Sequence, residues 1–165
     1  MRHSGPVNAT TAGPGPSIQE TWFPHMGCFG CGPANAKGLR LRSHVGERPG
    51  TAVARFTPWP EHDNGLGFLN GGIIATLLDC HSAAAVVAVA HERGWPAEGD
   101  LPLPYVTAGL DVRYRRPTPL AAELELYAEV TSASYDVMTA HVRVEHDGKV
   151  RSEATADWRR WRART

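Results

Sequence analysis

The chain has 165 residues, 42% of them hydrophobic, and 17 lysines and arginines balance 17 aspartates and glutamates. That length suits one domain with a sizeable core, and the charge balance excludes the electropositive field of a nucleic-acid binder. The longest apolar stretch, residues 73–90, is interrupted by Asp79 and His81 and is rich in alanine, so it reads as a buried helix and not as a membrane span.

Residues 1–17 carry Gly, Pro, Ser, Thr and Asn, with no charged segment leading into an apolar run. The expectation is a flexible leader before a domain at 18–165, in a cytoplasmic protein. Cys28, Cys31 and Cys80, an odd count without a framework, fit free thiols in a reducing compartment. Residues 24–37 read as a Gly-, Pro- and Cys-rich loop, and the alternation Leu39, Leu41, Ser43, Val45 predicts a first strand. A second strand over residues 51–57, ended by Pro58 and Pro60, pairs with it as a hairpin across 46–50. A loop over 59–70 leads into a helix in which Ile73, Ile74, Leu77, Ala84, Ala85 and Ala88 share one side, closed by Gly94 and Pro96. Four strands follow at 105–114, 122–130, 137–146 and 149–161, with a tight hairpin at Asp147-Gly148. The order predicts an α+β fold in which a curved antiparallel sheet wraps one long helix.

An aspartate deep in an apolar helix requires an explanation, because Asp79 lies too far from the helix start to be an N-cap and an unpaired buried carboxylate is costly. On a helical projection Gly72, Ala75, Thr76, Ser82, Ala83 and Val86 lie within about 60° of it, while Ile73, Ile74, Leu77, His81 and Ala84 lie opposite. The acid therefore faces a lane of small residues, which leaves space for a ligand tail and a water. The alternative is a structural acid held by a serine, a threonine or a backbone amide. Gly71-Gly72 at the helix start favour the first reading, since their amides lack intrahelical acceptors and suit a developing oxyanion.

The run Asn70-Gly71-Gly72-Ile73-Ile74-Ala75-Thr76-Leu77-Leu78-Asp79 resembles the His-Gly-Gly-(six residues)-Asp signature of PaaI-like acyl-CoA thioesterases of the hotdog superfamily. The segment Cys28-Phe29-Gly30-Cys31-Gly32, with Asn35 and Lys37-Gly38-Leu39, is similar to their opening. Residues 107–114 with Arg116-Pro117 are similar to their strand after the helix. The resemblance implies a hotdog fold and hydrolysis of an acyl-CoA thioester to free acid and coenzyme A. In it Gly71 is the amide that polarises the carbonyl, Asp79 the catalytic carboxylate, Asn64 a polar residue holding carbonyl or water, and Thr107 a hydroxyl assisting the water. Asn70 replaces the usual histidine and keeps a hydrogen-bonding amide but no titratable group. Arg113, Arg115 and Arg116 become contacts for coenzyme A phosphates. No cofactor is implied beyond coenzyme A as part of the substrate. A homodimer or homotetramer is implied, with the site between subunits. Two rivals keep the fold: an enoyl-thioester hydratase, and a non-catalytic acyl-ligand binding protein.

Other signals are assigned to structure. Cys28 and Cys31 lack a second pair for a four-ligand zinc site, so no metal is expected and the two thiols are taken to pack against the sheet. Cys80 has no neighbouring cation in sequence and reads as a small buried residue. His81, about 160° from Asp79 around the helix, reads as a core or interface histidine. Trp158 and Trp161 read as packing or contact residues.

Overall fold

A computed structural model describes residues 15–95 and 104–162. Residues 1–14 of the expected leader, and Pro96 as a helix stop, lie outside the described residues. A short helix, α1 (Ile18–Trp22), comes first and is set by a signal of the capping-box type. The buried Ser17 accepts from the Glu20 N–H at 3.2 Å, and the Glu20 carboxylate reaches back to the Ser17 N–H at 2.9 Å.

The first hairpin forms as expected, with β1 (Arg42–Val45) antiparallel to β2 (Thr51–Phe56). Its first strand starts later than the Leu39–Leu41 alternation predicts. Arg40 adopts φ +53, which breaks the extended run. The N–H groups of Leu39 and Leu41 turn instead to the carbonyls of Phe29 (2.7 Å) and Gly30 (2.9 Å). Those two leucines are buried, so the alternation reports burial correctly and strand pairing incorrectly.

The loop after β2 contains a 3-10 turn at Pro60–His62 and leads to α2 (Gly71–Glu92), which ends with Arg93 as its cap, one residue before Gly94. This helix is long and apolar enough to cross a membrane, yet 72% of its apolar window is buried inside the molecule. Then come β3 (Tyr105–Tyr114), β4 (Leu124–Ala133), β5 (Val137–His146) and β6 (Lys149–Arg160). The start of β4 is two residues later than predicted, after Ala121 turns through φ +58. Its end runs on past Val130 through a register shift. The Asp147-Gly148 turn has both residues at positive φ, as a two-residue hairpin needs.

All pairings are antiparallel and the sheet order is β1-β2-β4-β5-β6-β3. Chain order conceals one feature: β3 crosses to the far edge and pairs with β6, so that β2 meets β4. Alternate residues of β4, β5 and β6, among them Leu126, Val142, Val144 and Ala154, bury against Leu77, Leu78, Ala84 and Ala85 of α2. The expected α+β architecture, a curved sheet around one central helix, is the one observed.

Candidate active site

Asn70 is the N-cap of α2, and its side-chain oxygen accepts from the Gly72 N–H at 2.8 Å. The residue that stands where histidine is usual thus acts here as an acceptor, and it occupies one of the two glycine amides. The Gly71 carbonyl accepts from the Tyr114 hydroxyl at 2.8 Å, which holds the end of β3 against the start of α2. A Cβ at position 71 would lie 3.4–3.6 Å from the Tyr114 hydroxyl and ring, an ordinary van der Waals contact.

Asp79 is half-buried, and its Oδ1 accepts from the Thr107 hydroxyl at 2.7 Å. Burial pushes its carboxyl above the usual range; the Thr107 hydrogen bond opposes this and the Cys28 charge adds to it. The second carboxylate oxygen has no hydrogen-bond partner among the described residues. Strict alternation does not account for Thr107 reaching the helix together with Leu110, Val112 and Tyr114. A register shift between Thr107 and Gly109 reverses the parity of β3, so that Thr107 before it and Leu110, Val112 and Tyr114 after it all face α2.

The lane of small residues divides into two parts. Gly72, Ala75, Thr76 and Ala83 remain at least partly open around Asp79. Ser82 and Val86 are sealed, with the buried Trp158 indole N–H donating to the Ser82 hydroxyl at 3.1 Å. His81 is a core histidine, as expected: Nδ1 meets the Ser43 hydroxyl at 2.9 Å, Nε2 meets the Ala52 carbonyl at 3.2 Å, and burial lowers its pKa to about 4.

Other expected site residues lie in different settings. Asn64 sits in an exposed turn where its side-chain oxygen accepts from the N–H groups of Leu66 (2.8 Å) and Phe68 (3.3 Å). Arg113 forms a two-point pair with Asp111, with distances of 2.7 and 3.0 Å, and Arg115 pairs with Glu153. Arg116 donates to the Val150 carbonyl at 2.9 Å and has no acidic partner among the described residues.

Comparison with known proteins adds the decisive observation. Residues 66–152, which span α2, β3, β4 and β5, match the model of the thioesterase superfamily. The chain belongs to that superfamily. It is 30% identical over 86 residues to acyl-coenzyme A thioesterase 13 of Homo sapiens, which covers 52% of this chain and 54% of that protein. The chain thus spans about half the length of the curated relatives it matches. Among solved structures it resembles a single-site mutant of phenylacetic acid degradation protein PaaI from Thermus thermophilus, with 27% identity, TM-score 0.61, and coverage of 74% of this chain and 95% of that one. It is also similar to a thioesterase superfamily protein from Shewanella loihica, with 26% identity, TM-score 0.59, and coverage of 79% and 98%. The architecture is therefore the hotdog fold, and the relatives support thioesterase-type chemistry.

Two features of this thioesterase superfamily member escape sequence reasoning. Tyr114 lies 43 positions from Gly71, and no spacing signals their contact. Cys80 joins Cys28 and Cys31, so the loop thiols meet a third thiol on the central helix. A search for a second pair close in sequence overlooks a single cysteine delivered by a distant helix.

Proposed function

We propose that this protein hydrolyses acyl-CoA thioesters, with Asp79 as the carboxylate that activates water, Thr107 as the hydroxyl that orients it, and the Gly71 amide as the oxyanion donor. The observation that carries this reading is the 2.7 Å Thr107–Asp79 hydrogen bond, formed on the open part of the small-residue lane. It holds one carboxylate oxygen and leaves the other without a hydrogen-bond partner among the described residues, available in this reading to a water beside a ligand. Asn64 and Asn70 support the site indirectly, one by shaping the loop before α2 and the other by capping the helix whose amides receive the carbonyl.

Gly71 and Asp79 are eight residues apart, which is about 12 Å along a helix axis. A water bound to the carboxylate and attacking a carbonyl whose oxygen rests on an amide spans less than that. The reading therefore pairs Asp79 of one copy with the Gly71 amide of a second, in a homodimer or a larger assembly of the same chain. The edge strand β3, with Val106 and Thr107 exposed, offers the surface for that pairing. Arg116, beside Tyr114 at the end of β3 that meets the start of α2, is the cation best placed to contact coenzyme A phosphate; Arg113 and Arg115 keep acidic partners within the chain.

A panel of acyl-CoA thioesters of differing chain length and aromaticity, followed by thiol release, tests this reading. Catalytic release from at least one member is expected. Tight binding of the panel with no release would assign the protein to ligand binding instead, and loss of enoyl conjugation without thiol release would assign it to hydration.

A further inference from the structure

Thioester hydrolysis uses none of the three cysteines, yet the fold brings all of them to one point. Cys28 and Cys31 come from the loop before β1 and Cys80 from the middle of α2, and the three Sγ atoms lie within 4.8 Å of one another. All are free thiols. The Cys28 and Cys80 sulfurs are 3.8 Å apart. A zinc ion bound tetrahedrally at about 2.3 Å from each sulfur sets its ligands about 3.8 Å apart, so this edge already has the length a metal site requires.

The backbone is committed to the arrangement. A Cβ on Gly30 would overlap the Cys80 sulfur, and one on Gly32 would overlap the backbone of Met26 and Cys28. Both glycines are therefore needed for the loop to close over the helix. The loop is fixed by the Gly32 N–H to the Cys28 carbonyl at 2.9 Å, by the bonds from Leu39 and Leu41, and by Asn35 Nδ2 to the Gly27 carbonyl at 3.2 Å.

Packing alone explains three small side chains in contact, but not two glycines whose lack of a side chain lets the loop deliver two thiols to a third on the helix.

The geometry points to a three-thiolate site for one thiophilic divalent cation of the zinc class, held by Cys28, Cys31 and Cys80. No further histidine, cysteine or carboxylate joins the group among the described residues, so the fourth position belongs to water or another small exogenous ligand. On binding, each cysteine still protonated gives its S–H proton to solvent as its metal–sulfur bond forms, so that three thiolates hold the ion; no electrons are transferred. The ion would clamp the loop to α2 one residue from Asp79.

The test is titration of the metal-free, reduced full chain with zinc chloride. One equivalent should bind, protons should be released, and all three cysteines should become protected from a thiol-modifying reagent. Cadmium in place of zinc should give a sulfur-to-metal charge-transfer absorption. Cys28→Ser, at the half-buried position, should keep the fold and lose affinity by at least ~100-fold. It should also lose the zinc-dependent rise in melting temperature that the parent shows. If the three thiols react equally fast with and without excess zinc, or if the parent and Cys28→Ser bind zinc alike, the site does not exist. None of these readouts involves thioester turnover, so this inference and the proposed activity fail separately.

Discussion

Asp79 and His81 stand two residues apart on α2, and the sheet treats them in opposite ways. His81 is fully buried with both ring nitrogens matched, by Ser43 and by the Ala52 carbonyl, and burial keeps it neutral. Asp79 is only half-buried, has one oxygen held by Thr107, and lies among residues too small to cover it. On the proposed reading, the polar group that serves the fold is enclosed and satisfied, whereas the one that serves chemistry keeps an unmatched atom for a ligand or water.

Substitutions should separate the two sites. Asp79→Asn retains an acceptor for the Thr107 hydroxyl and removes a partly desolvated charge. Thiol release should fall by about a hundred- to ten-thousand-fold, while the melting temperature holds or rises. His81→Ala should do the reverse. It leaves the Ser43 hydroxyl and the Ala52 carbonyl without their partner and opens a cavity, at a cost of about 3 kcal/mol in denaturant unfolding, and the fraction that remains folded should turn over normally. If His81→Ala abolished turnover in fully folded protein, the division between the two residues would collapse.

Thr107→Val keeps the shape of the β3 bulge and deletes the hydrogen bond to Asp79, so kcat should drop about ten-fold with little change in stability. The smallest effect is expected at Arg116→Ala, where KM for a coenzyme A ester should rise about three-fold at unchanged kcat, and the difference should fade in high salt.

The contrast between the two residues is legible in the sequence, because it follows from angle alone: positions two apart lie about 160° from one another around the helix. The helix itself, β3 and β5 are equally legible, since apolar periodicity and turn residues bound them closely. Partners across the fold are not. The Thr107–Asp79 bond depends on a bulge that reverses the parity of β3, and the Tyr114–Gly71 bond on β3 lying at the sheet edge beside β6. Alternation encodes neither. α1 shows the opposite case, a local signal masked by its surroundings: Ser17-Ile18-Gln19-Glu20 is a capping box in plain sequence, set at the end of a segment whose composition suggests a loose leader.

The most direct test of the account separates binding from chemistry at Asp79. The best acyl-CoA substrate is mixed under single-turnover conditions with parent and with Asp79→Asn, and both the substrate affinity and the rate of thiol release are measured. The account predicts comparable affinity with release all but lost in the variant. Release at the parental rate from Asp79→Asn, in protein that binds substrate as the parent does, would contradict it.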